Sequence, residues 1–313
     1  MRRSLAAGVG AMLVFALPGM AGAAGTTPKC FGEPATIVGS GPINGTEGDD
    51  VIVGSAGNDI ITGFGGADLI CALGGADRVS AGLGDDKIDG AEGDDLITGD
   101  VLVDLFPGAD QPAGNDVIIG GPGNDGATGD HRSIFGDDVT GDSGDDLMIG
   151  GPGNDFFFAD STAFTGTVSG RAGNDRLLLG DGNDVAVGDH NAIHNVGDAG
   201  DDYIDGGDGD DFVIGDASWG EASAANTFEG TAGNDTILGG GGNDFIVGDH
   251  NPFTGTLPGG GDDVLKGGAG DDGLFGDHWA DSGGVTSGSG DDTCQGGQGT
   301  DTAASCEDTT GVP

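Results

Sequence analysis

The chain has 313 residues, of which 72 are glycine, and it carries 54 acidic against 9 basic side chains, a formal net charge of −45. This charge disfavours nucleic acid and anionic membranes as partners. With only 35% hydrophobic residues, the chain has the composition of a disordered acidic protein unless a cation neutralises it.

Residues 1–23 have the three parts of a secretory signal peptide. Arg2 and Arg3 form a basic start, an apolar stretch follows over Leu5–Leu17, and Ala-Gly-Ala at 21–23 satisfies the cleavage rule. The apolar stretch is too short for a membrane anchor, and no later segment is apolar enough to span a bilayer. We therefore expect a secreted, extracellular protein without a membrane span. Its mature net charge is −47, because two of the 9 basic residues are removed.

From residue 45 onward a nine-residue unit with the consensus G-x-x-G-[N/D]-D-x-U-x, where U is apolar, occurs twenty times. The first six units run without a gap from Gly45 to Thr98. Position 4 is Gly, position 6 is Asp and position 8 is apolar in all twenty units, with Ile52 the first apolar residue and Ala303 the last. So strict a repeat predicts a solenoid of identical short units.

Each unit is predicted to be a tight loop followed by a short strand. Gly at positions 1 and 4 and Asn or Asp at position 5 tolerate left-handed backbone. Positions 7 to 9 form the strand and turn the eighth residue inward. Two units make one flattened coil, and coils stacked about 4.8 Å apart align the apolar residues into a thin core. The predicted fold class is all-β, a parallel β-roll or β-solenoid with irregular insert corners.

Stacking brings the sixth-position aspartates into two columns, in which carboxylates repel unless a cation lies between them. Calcium takes about 6–8 oxygens in flexible geometry and suits loops rich in carbonyl groups and Asp better than magnesium does. We therefore predict several bound Ca²⁺ ions. Their predicted ligands are Asp50, Asp59, Asp68, Asp77, Asp86, Asp95, Asp116, Asp125, Asp146, Asp155, Asp175, Asp184, Asp202, Asp211, Asp235, Asp244, Asp263, Asp272, Asp292 and Asp301.

The repeat resembles that of the RTX, or haemolysin-type calcium-binding, proteins, whose nonapeptide G-G-x-G-x-D-x-U-x matches residues 45–304. The resemblance implies a parallel β-roll with calcium between successive loops and calcium binding coupled to folding outside the cell. It does not name a biological role, because the family includes toxins, proteases, lipases and adhesins. The N-terminal signal peptide is a departure, since most members use a type I exporter and an uncleaved C-terminal signal.

Beyond residue 98 the units form doublets separated by inserts of 9 to 15 residues, each opening with Gly-Asp or Ala-Asp. We expect the seven insert aspartates to be additional metal ligands, with plain turn residues as the alternative. They are Asp100, Asp130, Asp160, Asp189, Asp216, Asp249 and Asp277. Each insert is expected to form a third half-coil, so that the long corners alternate between the two edges of the roll. A three-sided coil would instead place all seven aspartates on one edge.

Four inserts continue with a histidine, namely His131, His190, His250 and His278. A second metal is conceivable, because imidazole suits zinc, nickel and copper. We favour exposed corner residues, since three inserts lack the His and no Cys or second His accompanies it.

The inserts also hold much of the aromatic content. We expect these residues to plug the widened coil ends, with stacking on sugars or on a partner surface as the alternative.

The four cysteines lie at the two ends of the repeats. Terminal coils of a solenoid need caps, so we predict the disulfides Cys30–Cys71 and Cys294–Cys306. The predicted organisation is a signal peptide over 1–23, an N-terminal cap segment over 24–44, calcium-binding repeats over 45–304 and a C-terminal tail over 305–313.

The expected function is that of a secreted calcium-binding structural or interaction protein whose roll folds on binding extracellular calcium. An enzyme, such as a secreted hydrolase, is disfavoured because the short flanking segments leave no room for a catalytic domain and no Ser/His/Asp arrangement stands outside the repeat. The other alternative is a calcium-dependent adhesin or matrix protein. Its insert corners would bind an extracellular glycan or a cell-surface partner.

Overall fold

A computed structural model describes residues 27–102, 111–133, 138–216, 227–250, 260–277 and 290–312. Over these ranges the chain winds into a solenoid of stacked coils and contains strands but no helix. No helix that could cross a membrane is therefore found in the part of the chain that the structure describes. The predicted signal peptide lies outside the described residues.

Two long parallel sheets form the flat faces of the roll, and each coil contributes one strand to each. The first sheet has 12 strands: β3 (Ile37–Val38), β5 (Val51–Ser55), β7 (Leu69–Leu73), β9 (Lys87–Asp89), β11 (Val117–Ile119), β14 (Leu147–Pro152), β17 (Arg176–Asp181), β20 (Tyr203–Asp208), β23 (Thr236–Gly241), β25 (Val264–Ala269), β27 (Thr293–Gln298) and β29 (Asp308–Thr310). The second has 11: β4 (Pro42–Asn44), β6 (Ile60–Gly65), β8 (Arg78–Leu83), β10 (Leu96–Thr98), β12 (Gly126–Thr128), β15 (Phe156–Phe158), β18 (Val185–Val187), β21 (Phe212–Ile214), β24 (Phe245–Val247), β26 (Gly273–Phe275) and β28 (Thr302–Ala304).

The strands pair in register with their equivalents in the next coil, and this holds whether or not an insert lies between them. Ile52 pairs with Ile70 across 18 residues, and Ile88 pairs with Ile118 across 30. In the described residues all eighth-position side chains are buried except that of Ala303, which is partly buried at the C-terminal end. The predicted β-roll and its thin core of eighth-position residues are confirmed.

The inserts add a small third parallel sheet, formed by β13 (Arg132–Ser133), β16 (Thr162–Ser169), β19 (Asn191–Val196) and β22 (Thr227–Glu229). The expectation that long corners alternate between the two edges is therefore wrong. Every insert follows a strand of the second sheet and precedes a strand of the first, so every insert leaves the roll at the same edge. The 18-residue coil is retained, and the extra residues form an excursion from it.

Both ends of the roll carry the predicted disulfides. Cys30 ends the first strand of an antiparallel hairpin formed by β1 (Lys29–Cys30) and β2 (Glu33–Pro34), and it is bonded to Cys71 with a Cα–Cα distance of 5.6 Å. Cys294 and Cys306 are bonded with a Cα–Cα distance of 6.0 Å. The second bond holds the last strand, β29, against the preceding coil.

Candidate metal sites

The sixth-position aspartates form two continuous buried columns, one along each edge of the roll. All twenty side chains are buried. In each successive pair the backbone N–H of one Asp donates to Oδ1 of the equivalent Asp in the next coil, over 2.6–3.1 Å. Asp146 donates to Asp175 in this way, and Asp155 donates to Asp184. One carboxylate oxygen of each aspartate is thus used to join coils.

The other oxygen, Oδ2, is buried and accepts no hydrogen bond in the eighteen sixth-position aspartates from Asp68 to Asp301, all of which the structure describes. The first coil differs, because the backbone N–H groups of Thr46 and Ser55 donate to Oδ2 of Asp50 and Asp59 over 2.8 and 2.7 Å. A buried carboxylate oxygen without a donor is unfavourable unless a cation lies beside it. The columns therefore fit bound metal ions.

Backbone carbonyl groups approach the same points. A Cβ built on Gly206 would lie 2.5 Å from Asp211 Oδ2 and 2.6 Å from the carbonyl oxygen of Gly239 in the next coil. A carboxylate and a carbonyl, both acceptors, thus converge where only glycine fits. Across the described ranges no three His, Cys, Asp or Glu side chains gather into a metal-binding group, so carbonyl oxygens have to complete any ligand set. A set of hard oxygens suits calcium.

Burial raises the pKa of seventeen of the twenty aspartates, and repulsion by neighbouring carboxylates adds to the effect in most of them. The pKa rises to about 6 for Asp68, to about 8 for Asp86 and to about 9 for Asp263. The metal-free columns therefore hold protons at pH values where an exposed Asp is ionised. A divalent cation would displace these protons and restore the charged carboxylates.

The seven insert aspartates are buried as well and form a third row beside the first-sheet column. Neighbouring carboxyl groups lie close enough along this row to interact, as those of Asp130, Asp100 and Asp160 do. The backbone N–H of a position-4 glycine donates to the insert Asp of the same coil, for example from Gly233 to Asp216 over 2.9 Å. The structure thus gathers the candidate aspartates into three rows, two of them on one edge.

The insert histidines are buried, so the interpretation as exposed corner residues is wrong. His131, His190 and His250 are only 1–3% exposed, and His278 lies outside the described residues. His131 and His190 directly precede β13 and β19 of the third sheet, where the stacked inserts bury the rings. Each imidazole approaches the insert Asp of the preceding coil, and His250 Nδ1 lies 3.4 Å from Asp216 Oδ2. Burial lowers the pKa of His190 to about 4, so this ring is neutral at pH 7.

Two features of the columns escaped the sequence analysis. Glu307 continues the first-sheet column past the last repeat, since its Oε2 accepts the N–H of Asp292 over 2.9 Å. Fifth-position side chains form an exposed ladder outside each column, in which Asn243 Nδ2 donates to Asp210 Oδ1 over 3.1 Å. The alternation of Asn and Asp at position 5 was its only signal.

Most insert aromatic residues, whose placement was also predicted, lie outside the described residues.

Fold and site together define a calcium-binding solenoid, because stacked loops align buried carboxylates with converging carbonyl groups. A family model of the RTX calcium-binding nonapeptide repeat matches residues 44–79, 72–104, 113–130, 133–163, 160–189, 196–218, 222–249, 259–277 and 285–303. These matches span well over half of the chain, which therefore belongs to this family. RTX nonapeptide repeats bind several Ca²⁺ ions. A search of curated proteins found no match.

Proposed function

We propose that this protein is a secreted structural protein whose roll folds when extracellular calcium fills the aspartate columns. The observation that carries the proposal is the set of eighteen buried Oδ2 atoms without a donor, from Asp68 to Asp301. Each column has ten sixth-position aspartates and therefore nine gaps between coils. The number of orphaned oxygens equals the number of gaps in the two columns, which supports one ion for each gap.

Charge explains why folding would require the metal. The mature chain carries −47, and its main core consists of the eighth-position residues and few other apolar side chains. One divalent ion in every gap would supply about +36, which cancels most of the repulsion. A ligand that binds only the folded state stabilises it by RT ln(1 + [L]/Kd) at each site, so many sites of modest affinity give a large effect. Millimolar extracellular calcium would fold the chain, and low cytosolic calcium would leave it unfolded for export.

The residues assigned to the metal are the twenty sixth-position aspartates, with loop carbonyl groups as partners. The two disulfides support an extracellular location, because such bonds persist in oxidising compartments. We propose a structural rather than an enzymatic role, since a nucleophile placed on a loop would interrupt the repeat that holds the coils together. Binding of a glycan or a cell-surface partner at the insert edge stays a prediction, which a glycan screen with and without calcium would test.

Far-UV circular dichroism during a calcium titration tests the proposal. We expect a chain with little β signal in EDTA, a cooperative gain of signal as calcium rises to millimolar, and no comparable gain with magnesium. Mass spectrometry of the folded protein under native conditions should then show many bound calcium ions. A chelated protein that keeps its full β signal and its melting temperature would contradict the proposed coupling of folding to calcium.

A further inference from the structure

The inserts are expansions of one loop of the repeat rather than additional half-coils. Gly99 follows directly on a completed unit and occupies the place of position 1 in the next one. A Cβ on Gly99 would collide with Asp116 Oδ2 and with the carbonyl oxygen of Gly129. A Cβ on Gly54, at position 1 of an unexpanded unit, would meet Asp59 Oδ2 and a carbonyl oxygen of the next coil in the same way. The extra residues therefore enter after position 2 of the loop.

Later coils repeat this geometry. A Cβ on Gly188 would meet Asp202 Oδ2 and the carbonyl oxygen of Gly215, the residue that opens the following insert. The insert Asp, one residue after such a glycine, is therefore position 2 of an expanded loop. In six coils the N–H of the position-4 glycine donates to this carboxylate over 2.9–3.2 Å. This hydrogen bond closes the expanded loop around its two aspartates, at positions 2 and 6.

The two edges of the roll consequently differ in charge. On the edge without inserts each coil buries one aspartate, and on the expanded-loop edge each coil from Asp100 onward buries two. Asp100 Oδ1 and Asp130 Oδ2, both on fully buried side chains, accept no hydrogen bond. Further along, Asp249 Oδ2 and Asp277 Oδ1 both lie within 2.7 Å of the point where a Cβ on Gly260 would stand. Oxygens from successive coils thus converge on one point.

Histidines lie beside this row. In the described residues, imidazole nitrogens are 3.4–3.9 Å from the carboxylate oxygens of Asp100, Asp160 and Asp216. Two buried carboxylates in each coil carry the charge that one divalent cation in each gap would balance.

We propose that the expanded-loop edge holds a distinct, carboxylate-rich class of calcium site, in which one position-2 and one position-6 aspartate supply two carboxylates and loop carbonyl oxygens complete the ligand set, and that this site binds calcium more tightly than the opposite edge. The proposal rests on the proposed calcium-dependent folding and adds to it an order of filling. Affinity in oxygen-ligated sites rises with the number of charged ligands. The expanded edge therefore fills first as calcium rises, and the opposite edge fills later.

The test measures calcium binding to the full exported chain by isothermal titration and by native mass spectrometry. The test variant is Asp189→Asn with Asp216→Asn, which removes two position-2 charges but keeps an oxygen for the glycine N–H groups. The comparison variant is Asp184→Asn with Asp211→Asn on the opposite edge. Asp181→Asn with Asp208→Asn, two exposed residues of the same coils, is the matched control.

We expect two classes of site in the unmodified chain. The test variant should lose at least about tenfold in affinity at the tight sites that flank the two changes. The comparison variant should keep the tight class and weaken the other, and the control should bind as the unmodified chain does. Calcium-dependent folding with unchanged affinities in the test variant would overturn this inference and leave the proposed function standing. Absence of calcium-dependent folding in the unmodified chain would overturn the proposed function itself.

The Asn side chains keep the acceptor of the loop-closing hydrogen bond, so the test variant should fold at saturating calcium. If it does not, the single change Asp249→Asn replaces it. The single variant must show the same loss of tight binding, and an unchanged tight class would overturn the proposal.

Discussion

Replacing Asp211 by Asn should change stability in opposite directions with and without calcium. Asp211 Oδ1 accepts the N–H of Asp184 over 2.9 Å, a bond that an amide oxygen can keep. Its Oδ2 is buried without a donor and points to the region of the Gly239 carbonyl oxygen. An amide NH₂ at this place can donate to that carbonyl, whereas it cannot ligate a cation. The metal-free roll should gain from the change and the calcium-loaded roll should lose.

The magnitudes follow from the place of Asp211 between two gaps. If each flanking site weakens about tenfold, the loaded roll loses about 1.4 kcal/mol at each, or about 3 kcal/mol of unfolding free energy. The calcium midpoint moves upward by less than about twofold, because many ions share the transition. Without calcium, burial raises the pKa of Asp211 to about 7, so at pH 8 the ionised side chain destabilises the fold. Its removal should relieve about 2 kcal/mol after allowance for screening.

Two measurements by circular dichroism at constant ionic strength provide the assay: urea denaturation in millimolar calcium, and the amount of β signal that remains in EDTA. Asp208→Asn, which changes an exposed carboxylate of the same loop, is the control and should change stability by less than about 0.5 kcal/mol in either condition. The chelated Asp211→Asn protein should keep at least as much β signal as the chelated parent. Loss of stability in both conditions would show that Asp211 stabilises the coil through its own contacts and does not act as a calcium ligand.

Three further outcomes are expected. Because burial raises the carboxyl pKa values above those of the unfolded chain, protonation favours the metal-free fold; the chelated chain should gain β signal on acidification from about pH 8 to about pH 4, while calcium affinity falls. Loss of Cys30–Cys71 and of Cys294–Cys306, which span 41 and 12 residues, should destabilise the respective ends by about 4 and about 3 kcal/mol, seen as faster hydrogen exchange in the terminal coils. Gly270→Ala should lose about 3 kcal/mol or more in thermal unfolding, because φ is +149° and the new Cβ meets the Gly242 carbonyl oxygen. Gly273→Ala, whose new Cβ has only ordinary contacts from 3.6 Å, should be neutral.

The features that the sequence predicted are those in which every unit has the same environment. Each eighth-position residue faces the core and each sixth-position Asp faces a gap, so a single unit predicts the placement of the others. The disulfides were predictable for a related reason, since only the ends of a stack lack a neighbour. Cys30 could be paired with Cys71, and Cys294 with Cys306, because each pair lies at one end of the repeats.

The placement of the inserts could not be derived by counting units. An insert of 9 to 15 residues has the length of a half-coil, and nothing in its length shows whether it adds a strand to the existing sheets or leaves the stack. The informative signal was the Gly-Asp or Ala-Asp that opens each insert. It repeats the opening of a unit, so the excursion begins after position 2 and the strands stay in register. Burial of the histidines follows from this geometry and could not be predicted before the third sheet formed by the inserts was known.

The roll has two parts, which differ in how much apolar burial and how much bound charge stabilise them. The six units before residue 98 place Ile or Val at every eighth position, carry the Cys30–Cys71 bond and satisfy Oδ2 of their first two aspartates with backbone N–H groups. The units after it include Ala127 and Ala186 in the core, which bury much less apolar surface. These are also the coils in which the expanded loops add a second carboxylate. In the two coils that contain Ala127 and Ala186, therefore, a thin core coincides with added ligand charge, and their cohesion depends more on the ions than that of the coils before residue 98.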